Sequence, residues 1–286
     1  MNYSLSLMLG RNMALGALDP DASSYIAAVR AAGGTVSGTQ ATAISNFAIL
    51  GKADGWFSSV KRFYLPIWGV AAANAVDLIV RGSRTFVGGV THSSGFVTFN
   101  GTTGAFRDNA TITSHGSTSS THHTMALISD NPGTAADFSR YFGAYDSTDS
   151  TKDCEANFRL ALTRIDSRCY GTSTSIVGPL IAVNLQEGVL LQNKLSTAAG
   201  GHSLKLLKTA GLAIDTASVS PNLVSPPASK MTWGARNSQL DALQSFNNFS
   251  YGAMSVGVSV GNNALQNTYL SRVKTLWETC TGLTLP

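Results

Sequence analysis

His122 and His123 stand side by side, with His115 shortly before them, and they are the first residues to test for chemistry. A metal site needs ligands that converge on one point. Adjacent residues of a strand point to opposite faces, and neither an H-x-H nor an H-E-x-x-H spacing is present. The pair therefore reads as exposed or half-buried strand histidines. Cys154, Cys169 and Cys280 are odd in number and contain no C-x-x-C, so they support neither a disulfide framework nor a zinc site and read as small buried hydrophobes. Carboxylates are the next candidates, because glycoside hydrolysis uses two of them flanking one bond. Glutamate occurs only at Glu155, Glu187 and Glu278. Asp153 and Glu155 are the close pair with the parity to share one face of a strand, but they lie in the polar stretch "DSTDSTKDCEANF", which favours a solvated loop. Asp146, Asp149 and Asp153 carry the oxygen ligands that calcium takes, yet the twelve-residue calcium-loop pattern is missing. Trp56, Phe57, Phe63, Tyr64 and Trp68 would form a sugar platform if exposed and packing anchors if buried, and anchors are the expectation.

Other chemistry is not written in the chain. There is no Gly-x-Ser-x-Gly elbow, and Gly51-Lys52 continues with Ala53 instead of the Ser or Thr of a P-loop. The sequence thus assigns no catalytic residue, no metal ligand and no cofactor, and it leaves the ligand-binding residues open. The expectation is a protein that is not an enzyme.

The elements that must position these side chains fall into three stretches. Residues 1–18 are mildly apolar without a basic leader region and read as an attachment or oligomerisation peptide. Residues 19–69 read as a helical module. Asp19-Pro20 opens a helix that Gly33-Gly34 stops, and Ser37 with Gln40 is a capping-box signal for a second helix ending near Gly51. Trp56 to Tyr64 reads as a short third helix or turn before Pro66.

From about residue 70 to 286 the grammar is that of short strands between Gly, Ser, Thr and Asn clusters, which argues for a sandwich. "AVDLIVRG", "SGFVTFNG", "THHTMALISD", "ANFRLALTRI", "GPLIAVN" and "EGVLLQN" are predicted strands, and Thr209-Ala210-Gly211 is a hairpin turn. Leu265, Tyr269, Val273, Leu276 and Cys280 recur at helical spacing, with Asn262 or Asn263 to cap and Gly282 to stop a final helix.

Composition narrows the setting. The chain has 286 residues, of which 43% are hydrophobic but only 13% charged, with a net charge of +4. A surface poor in charge and rich in Ser, Thr, Asn and Gly suits extracellular β proteins and virion parts better than a cytosolic enzyme. No Lys/Arg run marks a nucleic-acid patch. No apolar run is long enough to span a membrane, so no membrane insertion is expected.

The stretch "TWGARNSQLDALQSFNNFSYGAMSVG" resembles the penultimate strands of concanavalin-like (laminin-G-like) jelly rolls, and "GVLLQNKLSTAAGGHSLKLLKTAGLAID" looks like the preceding hairpin of such proteins. The stretch "DPDASSYIAAVRAAGGTVSGTQATAISNFAILGKADGWFSSVKRFYLPIWG" resembles a helical segment of bacteriophage structural proteins that precedes a jelly roll. The resemblance implies a mainly β chain: a concanavalin-like jelly-roll sandwich after a small helical module, closed by a C-terminal helix. It implies a virion component such as a tail-tip, fibre or head-spike protein. Its expected partners are other virion proteins, copies of itself (a trimer) and host-surface polysaccharide. A purely structural capsid or baseplate role and a glycan-degrading role are the alternatives. Laminarinase-like glycanases share the fold and carry a Glu-x-Asp-x-x-Glu strand, which this chain lacks.

Overall fold

The computed structural model describes residues 17–82, 84–130, 139–159, 162, 164–169, 176–180, 187–196, 201–218, 225–238, 240 and 242–285. Most of the expected N-terminal peptide, and part of the proline-containing stretch near residue 221, lie outside them. Helices α1 (Pro20–Ala31) and α2 (Gly38–Asp54) come first, then β1 (Val60–Tyr64) and the short α3 (Ala71–Asn74). Next are β2 (Thr85–Val87), β3 (Val90–Ser93), β4 (Phe96–Phe99), β5 (Ala105–Thr111), β6 (His122–Asp130), β7 (Ser139–Tyr145), β8 (Cys154–Arg159) and β9 (Arg164–Cys169). The series continues with β10 (Ile176–Leu180), β11 (Gly188–Lys194), β12 (His202–Lys208), β13 (Gly211–Ser218), β14 (Lys230–Trp233), β15 (Arg236–Ser238), β16 (Leu243–Gln244) and β17 (Ser250–Gly257). Helix α4 (Asn263–Thr281) follows.

The strands form two sheets. The first runs β13-β12-β11-β6-β17-β4-β3, with β1 paired to β17. The second runs β10-β9-β8-β7-β14-β5-β2, with β15 parallel beside β7 and β16 on β15. The chain is mainly β, a jelly-roll-like sandwich with a C-terminal helix, as the sequence implies.

Strand periodicity builds two cores on the two faces of the first sheet. Ala126, Leu190 and Met254 are register partners and face the second sheet, where they meet Phe142, Phe158, Ile165 and Trp233. The alternate partners Leu127, Val189 and Ala253 face the helices, where Tyr25, Phe47, Trp56, Phe63, Tyr269 and Trp277 cover them. Burying each large apolar side chain contributes about 1.5–3 kcal/mol. The order is therefore helices, first sheet, second sheet.

The helix signals in the sequence hold at the starts, whereas α2 runs past the expected stop at Gly51 and is ended by Gly55 at φ 88°. Asp19 accepts from Asp21 N, and Ser37 and Gln40 form the reciprocal capping box. Asn262 caps α4, and Gly282, at φ 72°, takes the left-handed turn that ends it. The hairpin at Thr209-Ala210 also holds, with Lys208 paired to Gly211.

Three local expectations do not. The segment expected as a short third helix or turn does hold a 3-10 turn at Phe57–Ser59, but it continues as the strand β1, which was not expected. Phe63 and Tyr64 bury on opposite sides of the first sheet, and only β17 as a pairing partner makes that profitable. "AVDLIVRG" is a turn and not a strand. Asp77 is wholly buried there and accepts from Phe63 N (3.2 Å) and Ile79 N (2.8 Å). "ANFRLALTRI" breaks between β8 and β9, whose pairing of Arg159 with Arg164 closes a hairpin.

Candidate functional site

The outer face of the second sheet gathers the charged residues of β7, β8, β9 and β15. On β8, Cys154, Ala156 and Phe158 point into the sandwich, so Glu155 and Asn157 point out. Asp153, just before the strand, has the same parity. Across the ladder Glu155 faces Gly143 on one side and Arg168 on the other, and Asn157 faces Asp166. A bulge between Arg140 and Phe142 turns both Tyr141 and Phe142 inward. Gly143 has a steric role. A Cβ there would lie 2.8 Å from Arg236 Cβ and 3.3 Å from Glu155 Cβ. Its absence lets β15 bring Arg236 over β7.

These groups are tightly coupled. Arg140 Nε lies 2.9 Å from Glu155 Oε2, and the Arg236 guanidinium 3.6 Å from the same oxygen. Arg236 also stacks 4.3 Å from the Tyr145 ring centre and donates to Gln244 Oε1 at 3.3 Å. Arg168 stands 3.7 Å from Asp153, and Arg164 pairs with Asp166 at 2.8 Å. The carboxylates are the buried members, with Glu155 2% and Asp153 5% exposed. The side chains of Arg168 and Arg236 are 35% and 23% exposed. An outer layer of guanidinium groups is thus held from behind by buried carboxylates. Asp153 Oδ1, Asn157 Oδ1 and Arg236 Nε are buried with no hydrogen-bond partner among the described residues. Burial, with the negative charge of Glu155 second, raises the Asp153 carboxyl to about 6, partly offset by Arg236 and Arg168. Burial likewise lowers Arg140, and Glu155 opposes that shift.

Asp153 and Glu155 share a face, as their spacing allows, but the expected solvated loop is replaced by a buried sheet position. The reason is lateral. Arginines from β7, β9 and β15 cover them, and none is near in sequence. Asp146 and Asp149 do not join Asp153 around an ion. They flank Lys152 at 3.5 and 3.4 Å and fold their own turns through Thr148 and Thr151. Trp56, Phe63, Tyr64 and Trp68 are buried packing anchors, as expected, and do not form a platform.

His122 and His123 do point to opposite faces, but both are fully buried instead of exposed or half-buried. His123 meets Ser255 Oγ (3.1 Å) beneath the helical layer, and His122 lies inside the sandwich near Cys154. His115 is buried against Asp108 at 3.0 Å. The cysteines are buried and unbridged.

No protein-family profile and no curated protein matches the sequence. Solved structures of similar strand arrangement exist. One is a mutant of Trypanosoma rangeli sialidase displaying trans-sialidase activity, at 10% identity and a TM-score of 0.46, with 77% of this chain and 34% of that one covered. Another is domain 4 of AbnA, an extracellular arabinanase from Geobacillus stearothermophilus, in complex with arabinotriose. It has 11% identity, a TM-score of 0.47 and coverages of 74% and 98%. A third is the binding domain of botulinum neurotoxin serotype D, at 8% identity and a TM-score of 0.45, with coverages of 76% and 52%. The chain spans about a third of the first of these and about half of the last. At such identities the likeness concerns the fold alone.

Proposed function

We propose that this protein is a non-enzymatic glycan-binding component of a bacteriophage particle, and that it takes acidic saccharide on the outer face of its second sheet. The contrast between the two outer faces carries the reading. The outer face of the first sheet is apolar and covered by helices. The corresponding face of the second presents the partly exposed Arg168 and Arg236 over the buried Arg140, Tyr145 and Asn157. Guanidinium groups fit carboxylates in paired hydrogen bonds, and the Tyr145 ring beneath Arg236 holds that guanidinium in place. The arginines in front, with carboxylates behind, favour uronate-type or sialate-type sugars over the neutral glycans that a charge-poor composition implies. The particle setting rests on the likeness of residues 19–69 to phage structural segments, with other virion proteins, a homotrimer and host-surface polysaccharide as partners.

The test is binding of purified full-length protein to immobilised acidic and neutral oligosaccharides, with particle proteins probed for the same chain. Saturable binding to acidic sugars, weakened roughly tenfold by Arg168→Ala or Arg236→Ala, supports the reading, since charge-assisted hydrogen bonds are worth about 1.5–3 kcal/mol. Equal binding of both sugar classes, or none, overturns it. Hydrolysis is a second reading, favoured by the raised Asp153 carboxyl beside Glu155. Release of reducing ends that Asp153→Asn abolishes would establish it instead.

A further inference from the structure

Behind the charged face, at one end of the sandwich interior, four side chains from four strands converge. His122 on β6 and Gln192 on β11 come from the first sheet. Cys154 on β8 and Cys169 on β9 come from the second and are direct cross-strand partners. The Sγ atoms are 4.0 Å apart, His122 Nε2 is 3.1 Å from Cys154 Sγ, and Gln192 Oε1 is 3.3 Å from the same sulfur. The ligand atoms of His122, Cys154 and Cys169 all lie within 4.8 Å of one another, and all three residues are buried. We propose that His122, Cys154, Cys169 and Gln192 form a zinc site that ties the two sheets together.

The orientation of each donor supports this. The Ser117 hydroxyl donates to the Gly257 carbonyl at 3.0 Å, so its lone pair accepts from His122 Nδ1–H at 3.1 Å. That leaves the His122 lone pair on Nε2, facing the thiols, with the ring fixed by a polar neighbour as in metal sites. The Gln192 amide nitrogen has the Glu155 carbonyl, the Arg168 carbonyl and Ser167 Oγ as acceptors for its two hydrogens. Its oxygen must therefore face Cys154. Nε2, Oε1 and Cys169 Sγ all lie within reach of Cys154 Sγ, although Thr124 Oγ1 also reaches Nε2 and Cys169 carries its own S–H. A cation would take a lone pair from each of the four donors.

Distances agree. Tetrahedral zinc with bonds of about 2.0–2.3 Å sets its ligand atoms roughly 3.3–3.8 Å apart, and the observed 3.1, 3.3 and 4.0 Å bracket that range. Two thiolates neutralise the ion, which a buried site requires. Thr124 Oγ1, 2.7 Å from Nε2, is the neighbour that must turn aside.

The test uses reduced full-length protein, with metal content measured after addition of zinc and removal of excess. One equivalent is expected, together with a thiolate-to-metal charge-transfer band when cobalt(II) replaces zinc. Under partly unfolding conditions, where burial alone no longer shields the thiols, zinc should protect two of the three from alkylation, and it should raise the thermal midpoint. Cys154→Ser and Cys169→Ser should each lose the band, and Cys280→Ser should keep it. If the first two variants fail to fold, the wild-type band and thiol protection decide. Folded reduced protein without stoichiometric zinc overturns the proposal, as does a Cys154–Cys169 disulfide that blocks the band. Metal retained by both serine variants overturns it equally.

Discussion

Arg140 and Glu155 form an ion pair of 2.9 Å between two side chains almost closed to water, 5% and 2% exposed. Such a pair is costly to break from one side only, because the surviving charge stays buried. Glu155→Ala should therefore lose about 3–5 kcal/mol in urea unfolding. The double variant Arg140→Met, Glu155→Leu should lose clearly less than Glu155→Ala alone. Additive losses would show that the pair is not coupled.

Acid should destabilise the fold well above the ordinary carboxylate range. Burial holds His202 at about 3 and His123 at about 4, and lowers His122 well below its usual value. Unfolded histidine titrates near 6.5. With depressed folded values, the stability these rings contribute is complete above that pH and is lost as pH falls toward the folded values. Each ring loses about 1.4 kcal/mol per pH unit. Asp153 and Asp77, both held at about 6 chiefly by burial, gain over part of the same range. The balance is a net loss of roughly 3–5 kcal/mol between pH 6.5 and 4.5. Chemical denaturation at the two pH values checks it, and equal midpoints would contradict it.

Asp153 carries the opposite sign and can be isolated. A carboxyl whose folded value is raised contributes stability below its unfolded value near 4 and loses it as pH rises through 6. Asp153→Asn should then be more stable than the parent at pH 7.5 by about 1–2 kcal/mol, after allowance for solvent screening. At pH 4 the two should be equal. A variant less stable at both pH values would mean that the pairing with Arg168 outweighs the cost of burial.

The seat of α4 on the first sheet depends on Gly252. A Cβ there would lie 2.2 Å from Trp277 Nε1 and 2.8 Å from Leu127 Cδ2. Trp277 Nε1 donates to the Gly95 carbonyl at 2.8 Å, so the indole cannot move without losing that bond. Gly252→Ala should cost about 2–4 kcal/mol with the far-ultraviolet dichroism unchanged. The cost should shrink in a Trp277→Phe background, and a constant cost would place the strain elsewhere.

Sequence by itself determined the parts of this protein that rest on local physics. Caps at Asp19, Ser37 and Asn262, the stop at Gly282 and the turn at Thr209-Ala210 are neighbour-to-neighbour effects, and they were legible. The strand character of β6 and β11 was legible too, and with it the sandwich and the opposite facing of His122 and His123. Tertiary structure alone decided the strand at Val60–Tyr64, because its stability lies in β17, nearly two hundred residues away. It alone decided both chemical clusters. Parity could show that Asp153 and Glu155 share a face, but only lateral pairing of β8 with β7 and β9, and of β7 with β15, supplies the arginines that bury them. Cys154, Cys169, His122 and Gln192 share no metal-binding spacing in the sequence and meet because two sheets close over one end of a shared interior. Parity along one strand is written locally, whereas the identity of a neighbour across a sheet or between sheets is set by long-range pairing.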